Sequence, residues 1–332
     1  MSISDTGRLK AAILGCGKIG WEFQDDPGAA RFGVCTHAAA WSALPDEVEL
    51  VAVADADEDR ARRCAARWGV PHHFPDAQSL LEGVHPQIVS IATPDDTHFA
   101  LALQCLQHPS VRAVLVEKPL AASVAQAQRL SSLAQELGKV IVVNYSRRFC
   151  PIFRGLRDAV RRGEYGPLHL VRGIYTKGLR HNGFHFLDLI HFWFEACRLE
   201  SFNIPSWAGE ARDLDDDPPA HVTFAAAPGS SGALHCMPHQ AYTLFEMDLC
   251  FARNRFLFTD GGDTLETYSL RKDTPFVGYT SLALESKRQN CVRDYLLHAA
   301  QHVLAVLKGI EQNLSSPDTS VYLLQQYYSL CG

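Results

Sequence analysis

The sequence predicts an α/β domain built on a doubly wound parallel sheet, followed by an α+β domain with a large, mainly antiparallel open sheet. Three observations predict it. An apolar strand pattern runs straight into G-C-G-K-I-G, strand and helix patterns then alternate as far as Asn144, and beyond Asn144 the apolar period shortens to two.

The first strand is Leu9 to Leu14, and Gly15, Gly17 and Gly20 follow it. In this spacing Gly15 permits the tight turn, Gly17 lets the backbone approach a pyrophosphate, and Gly20 lets helix and strand pack closely. A helix is therefore expected to open at the glycines, with a diphosphate on its free N–H groups. Cys16, Lys18 and Ile19 share that loop and are expected along the dinucleotide. Glycine-rich turns are common, so the assignment as a Rossmann domain needs an acidic residue after the next strand. Glu49 to Ala54 is that strand, and Asp55 stands at its end, placed to accept from both ribose hydroxyls of NAD and to repel a 2′-phosphate. The expected cofactor is NAD. NADP is the less favoured choice, because Ala56 supplies no cation, although Arg60 lies one helical turn away. Asp55 lies further from the glycines than the usual spacing of about 20 residues. The excess is Trp21 to Cys35, rich in Gly and Asp, followed by a helix-like Thr36 to Leu44, an insertion that lengthens the first crossover. Asp57 suits the N-cap of the following helix better than Asp55 does.

Asp57 to Trp68 carries one apolar stripe (Ala61, Cys64, Ala65, Trp68) and Gly69 stops it. His72 to Phe74 is a third strand, Ala77 to Leu81 a short helix, and Gln87 to Ala92 a fourth strand that Thr93-Pro94 ends. A helix over 96–107, a strand over 111–116 ending in Glu117-Lys118-Pro119, a helix over 123–137 and a strand over 140–143 complete the pattern. Ligands of such sheets bind beyond the C-terminal strand edge. Gly15, Asp55, Thr93, Pro94, Glu117, Lys118 and Asn144 all fall on that edge, with His98 just behind it, and all are expected around the cofactor. The division expected is 1–144 for the dinucleotide domain and 145–332 for substrate binding and oligomerisation.

In the second part a helix over 152–162 is closed by Gly163, a strand runs from Leu168 to Tyr175, and R-H-N-G-F-H-F-L-D-L-I-H-F-W-F follows. Short antiparallel strands are expected from there to residue 270. In Leu244 to Phe251, Phe245, Met247, Leu249 and Phe251 alternate with Glu246 and Asp248, one face dry and one wet. Helices over 290–308 and 319–330 close the chain. The face opposite the domain's own helices around Phe245 to Phe258 predicts a partner, hence a homodimer or homotetramer.

The composition bounds the function. With 332 residues, 47% apolar and 20% charged, two sizeable cores are possible and extended disorder is not expected. Lys plus Arg total 31 against 37 Asp plus Glu, a net charge of −6 with no basic block, which argues against nucleic acid or an anionic membrane as partner. No apolar run approaches the roughly 18 residues of a membrane span. The polar start M-S-I-S-D-T-G-R and ten cysteines without a C-x-x-C pair fit reduced thiols and a cytoplasmic location.

Four stretches, A-A-I-L-G-C-G-K-I-G, I-A-T-P-D-D-T-H, V-E-K-P-L-A and H-N-G-F-H-F-L-D, resemble the glucose-fructose oxidoreductase, inositol dehydrogenase and rhizopine-catabolism (Gfo/Idh/MocA) family, and they span nearly the whole chain. The resemblance implies a Rossmann domain plus a C-terminal sheet domain that commonly builds dimers or tetramers. It also implies hydride transfer at a secondary alcohol, usually of a sugar, cyclitol or sugar nucleotide. The family's lysine falls on Lys118 and its histidine on His185, both as substrate-facing acid/base groups. Many relatives carry Asp where this chain has His181, a departure that bears on any carboxylate-assisted proton relay. Trp21 to His37 resembles relatives of bacterial sugar-acid and surface-glycan pathways, which favours a sugar nucleotide or modified sugar.

The residues point the same way. Oxidising a carbinol moves a hydride to nicotinamide while a positioned group takes the hydroxyl proton. Lys118 is either a base, if burial depresses its pKa, or a cation that polarises the oxygen and leaves the proton to His185. His185 shares a helical stripe with Leu189, Phe192 and Trp193, so a core histidine is the alternative. Asp188 could orient its ring. Arg148, Tyr175, His181 and Asn182 are the further substrate contacts expected. A metal at His181, His185, Asp188 and His191 is the less favoured reading, and none is expected. The functional alternative is a non-catalytic NAD-binding sensor or regulatory protein.

Overall fold

The computed structural model describes residues 7–210, 217–240, 242–273 and 276–331. Contacts divide the chain into two units, the chain up to Phe149 together with Arg293–Leu324, and Cys150–Val292 together with the chain from Gln325 onward.

The first unit alternates strand and helix: β1 (Leu9–Leu14), α1 (His37–Ser42), β2 (Val48–Ala54), α2 (Glu58–Trp68), β3 (His72–Phe74), α3 (Ala77–Val84), β4 (Ile88–Ile91), α4 (His98–Gln107), β5 (Ala113–Glu117), α5 (Val124–Glu136) and β6 (Val140–Asn144). The strands form a six-stranded sheet in the order β3-β2-β1-β4-β5-β6. Every pair in it is parallel. The apolar runs are buried on both faces, as a parallel sheet covered by helices requires. The order reverses between β1 and β4, and this switch point puts the ends of β1, β2 and β4 beside one another.

One expectation fails here. No α-helix opens at Gly20. Trp21 N–H and Glu22 N–H both donate to Gly17 O, and Phe23 N–H donates to Lys18 O at 2.8 Å, which closes one wide turn. Two 3₁₀ segments, Glu22–Asp25 and Pro27–Phe32, follow. Pro27 has no N–H to continue a ladder, the Asp26 side chain caps Gly28 N–H, and Gly33 turns the chain away at φ 63°. The first α-helix waits until Thr36, whose hydroxyl accepts from Ala39 N–H.

The second unit begins with α6 (Pro151–Arg161), β7 (Leu168–Thr176), a π-helical turn (Leu179–Gly183) and α7 (Phe184–Phe194). It continues through β8 (Arg198–Asn203), β9 (His221–Ala225), β10 (Ser231–Met237), β11 (Phe245–Phe251), β12 (Asn254–Thr259), β13 (Thr264–Lys272) and β14 (Thr280–Arg288). These eight strands form one sheet in the order β14-β13-β12-β11-β7-β10-β9-β8. All its pairs are antiparallel except β7 with β10. One face carries α6 and α7 through an aromatic stack, in which the Phe153 ring lies 5.0 Å from Phe258 and 6.1 Å from Trp193. A Cβ on Gly173 would lie 3.0 Å from the Phe186 ring, so glycine is what lets α7 lie this close to β7.

The opposite face differs from expectation. Around β11 and β12 it is charged, with Asp248 bound by Arg172 and Arg255. Among the described strand residues, the exposed large apolar side chains on this face are Leu270, Leu282 and Leu284, on β13 and β14.

The last two helices, α8 (Tyr295–Leu307) and α9 (Pro317–Cys331), also alter the expected division at Asn144. Leu296, Ala299, Ala300 and Val303 of α8 join the core of the first unit with Ala38 and Trp41. The edge strand β6 is completed by the segment after α8: Val143 N–H donates to Ser315 O at 2.8 Å, and Asn313 Nδ2 donates to Ile141 O at 2.6 Å. An unpaired edge strand needs such cover.

Candidate active site

The glycine loop is shaped by two close approaches. Gly15 has φ 97°, and a Cβ there would lie 2.6 Å from the Ala92 carbonyl, so the end of β1 sits directly against the end of β4. A Cβ on Gly20 would lie 2.3 Å from Gly15 O. Gly17 is different, because nothing lies within 4 Å of its would-be Cβ. The N–H groups of Gly17, Lys18 and Ile19 have no protein acceptor among the described residues. They line, with Gly15, a cavity of about 800 Å³. Open space over a glycine flanked by uncommitted donors is the cradle a diphosphate requires.

Asp55 lies on the same cavity with Ala56, Asp57 and Arg60. Its Oδ2 accepts from Cys16 N–H at 2.7 Å and its Oδ1 from Asp57 N–H at 2.9 Å. A carboxylate offers about four acceptor places, so about one per oxygen remains, matching two ribose hydroxyls. Arg60 Nη1 is 3.7 Å from Oδ1. Asp57, as expected, caps α2 by accepting from Arg60 N–H. Cys16 offers its N–H and keeps its side chain buried, where a hydrogen bond with the neighbouring Cys64, together with burial, drives its thiol pKa far up. Among the described residues nine cysteines are free thiols.

Thr93 and Pro94 complete the cavity wall, together with the apolar Pro75, Ala77 and Leu101. His98 does not reach it. Its ring is fully buried, with Nδ1 2.7 Å from Pro119 O and Nε2 2.9 Å from Thr93 O, so it ties two loops of the strand edge together and offers a cofactor nothing directly.

Glu117 and Asn144 form a separate cluster on the same edge. Asn144 Nδ2 donates to Glu117 Oε1 at 2.5 Å, and His37 Nε2 lies 3.1 Å from that oxygen. Burial acts to raise the Glu117 pKa, but hydrogen bonds from His37 and Asn144 and the charge of Lys118 outweigh it and hold the carboxyl below its ordinary value. Lys118 follows, half-buried, before a cis bond to Pro119.

In the second unit His185 sits half-buried in the first turn of α7, its ring 6.2 Å from that of Phe245. The π-helical turn before it is held by Asp217, whose two oxygens accept from Arg180 N–H and His181 N–H, each at 2.7 Å. Such turns are frequent at functional sites. His181 is exposed, and Asn182 is spent in part on Thr176 O at 2.8 Å. Asp188 is buried.

Two expected substrate contacts are corrected by their burial. Tyr175 is 0% exposed and its hydroxyl donates to Ala220 O at 2.6 Å. Its strand position points it under α7. Arg148 is buried in the first unit, with Nη1 donating to Leu314 O at 2.6 Å, so it secures the segment that covers β6. No cluster of three or more His, Cys, Asp or Glu side chains able to hold a metal occurs among the described residues.

His37 and Asp217 were not singled out from sequence. His37 lies in the lengthened crossover, where the only signal is Thr36 as an N-cap, and Asp217 lies in a stretch without periodicity.

Residues 27–145 match the model of an oxidoreductase family with an NAD-binding Rossmann fold (GFO_IDH_MocA). The chain is 40% identical over 170 residues to an inositol 2-dehydrogenase of Rubrobacter xylanophilus, covering 51% of this chain and 44% of that protein. It is 30% identical over 163 residues to a D-glucoside 3-dehydrogenase of Escherichia coli, covering 49% and 42%. The matches thus span roughly half the length of these curated relatives or less. Among solved structures, an inositol dehydrogenase homologue of Azotobacter vinelandii, in complex with NADH and myo-inositol, superimposes with a TM-score of 0.72 at 17% identity over 97% of this chain and 94% of that one. A UDP-N-acetylglucosamine 3-dehydrogenase of Acidithiobacillus ferrooxidans gives a TM-score of 0.70 at 19% identity over 97% and 96%. These two likenesses concern the fold.

Proposed function

We propose that this chain is a member of the Gfo/Idh/MocA oxidoreductase family, whose model residues 27–145 match, and a dehydrogenase or reductase that transfers hydride between NAD and a secondary alcohol of a sugar, cyclitol or sugar nucleotide. The observation that carries this reading is the cavity of the first unit, where open space over Gly17 and the remaining acceptor places of Asp55 suit a diphosphate and a ribose diol. NAD supplies the hydride-accepting ring. The chain's own residues would do the rest: the glycine loop binds the diphosphate, Asp55 orients the ribose, and Lys118 at the same strand edge binds the reacting oxygen and handles its proton, while His185 is the acid/base candidate of the second unit. Relatives named for dehydrogenases of inositol and a glucoside support a ring polyol as substrate and leave the non-catalytic sensor the weaker reading.

Calorimetric titration with both cofactors tests the cofactor assignment. NAD should bind more tightly than NADP, because the Asp55 carboxylate repels a 2′-phosphate and Arg60 offsets that repulsion only in part. Tighter NADP binding would contradict it.

The working form proposed is a cytoplasmic homodimer or homotetramer assembled through the open face of the second sheet. Leu270 pairs with Leu282 and Tyr268 with Leu284 in register, so one face of β13 and β14 carries these apolar side chains together. Water is a poor partner for such a patch. Sedimentation should show an oligomer at micromolar concentration, and a monomer there would remove the proposal.

A further inference from the structure

His37 is held at both ends. Its backbone N–H donates to Ile19 O at 3.2 Å, and that of Ala38 to Gly20 O at 3.0 Å, so the start of α1 is tied to the glycine loop. Its ring, 0% exposed, crosses to the other side of the strand edge and meets Glu117 Oε1 at 3.1 Å. Glu117 is paired with Asn144 in the β5–β6 register, and Asn144 Nδ2 donates to the same oxygen. The groups facing this carboxylate are therefore His37 from α1, Asn144 from β6, and Lys118, the next residue in the chain. Since the carboxylate can only accept, His37 donates through Nε2–H. The Nδ1 atom is buried without a partner, which a core position chosen for stability alone would avoid.

We propose that His37 is a positioning residue for hydride transfer: by donating to Glu117 it holds the end of β5, and with it the next residue, Lys118, in register with the dinucleotide loop that its own backbone and that of Ala38 grip. This rests on the dehydrogenase reading for its purpose but not for its geometry. A side chain so placed needs a donor at the Nε2 position more than it needs an imidazole. Glutamine supplies one there, whereas leucine fills similar space and supplies none.

The test compares His37→Leu, His37→Gln and Glu117→Gln with the wild type in the full chain. Trace acylation by acetic anhydride, read by mass spectrometry, reports Lys118 relative to the exposed Lys272. Loosening the end of β5, or removing the charge of the residue next to the lysine, makes the amine more reactive, so His37→Leu and Glu117→Gln should raise relative acylation about threefold or more, while His37→Gln stays within about twofold of wild type. NAD affinity by calorimetry should change by less than about threefold in His37→Leu, since its backbone bonds persist. With NAD and myo-inositol as probe, His37→Leu should lower kcat about tenfold with KM little changed, and glutamine should restore most of it. Unchanged acylation in His37→Leu, or glutamine failing as badly as leucine, would overturn the proposal. If His37→Leu does not fold, the contrast between His37→Gln and Glu117→Gln decides: equal acylation in the two overturns it. A wild type that oxidises no polyol would count against the dehydrogenase reading alone, since the acylation arms need no substrate.

Discussion

A single methyl group separates the two jobs of the glycine loop. At Gly15 it would meet the Ala92 carbonyl at 2.6 Å, on a backbone at φ 97° that side chains rarely adopt. Gly15→Ala should therefore cost stability, about 1–3 kcal/mol from backbone strain before any overlap is counted, visible as a lower melting temperature without ligand. At Gly17 the same methyl meets nothing within 4 Å. Gly17→Ala should melt like the wild type but bind NAD about tenfold more weakly or worse, because its methyl occupies the space the diphosphate approaches. Melting curves and calorimetry on the two variants check both halves, and equal NAD affinity for Gly17→Ala and wild type would exclude this loop as the diphosphate cradle.

At the scale of elements, β7, β11 and β12 are locked across the open face of the second sheet by one buried carboxylate. Asp248 is 5% exposed and accepts from Arg172 and, at 2.8 and 2.9 Å, from Arg255. Burial would raise its pKa, but the two guanidinium groups win and hold it below the ordinary 3.8. The folded state then binds this proton less readily than the unfolded one. The stabilisation is complete above the ordinary carboxylate range and is lost as pH falls through the lowered folded value. Asp248→Asn should destabilise the protein by about 2–3 kcal/mol at neutral pH, from the lost charge-assisted bonds, and should flatten the acid limb of stability below pH 4, roughly. Denaturant melts from pH 7 down to the acid limb test this, and an unchanged acid limb would show that the carboxylate is not the linked group.

For the whole molecule, what the sequence discloses follows from how local the physics is. The strands of the first sheet are legible because burial on both faces demands unbroken apolar runs, and Gly15, Asp55 and Thr93, which line one cavity, are legible as candidate binding residues because each follows such a run. The missing helix after Gly20 depends on Pro27 and Gly33 further along. The return of residues 293–324 to the first unit depends on an edge strand needing cover. His37 and Glu117, 80 residues apart, share no local signal at all. Tyr175 and Arg148 carry chemistry fit for a substrate, and only packing shows that both point into the protein. Lys118 remains the residue on which the functional account turns. The most direct measurement is the growth of the reduced-nicotinamide absorbance when the protein meets NAD and a panel of cyclitols, glucosides and sugar nucleotides, in wild type and in Lys118→Ala. The account predicts growth with at least one member of the panel, depressed about two to four decades by the substitution while NAD affinity is nearly unchanged. Turnover in Lys118→Ala at the wild-type rate, or no growth with any member although NAD binds, would contradict it.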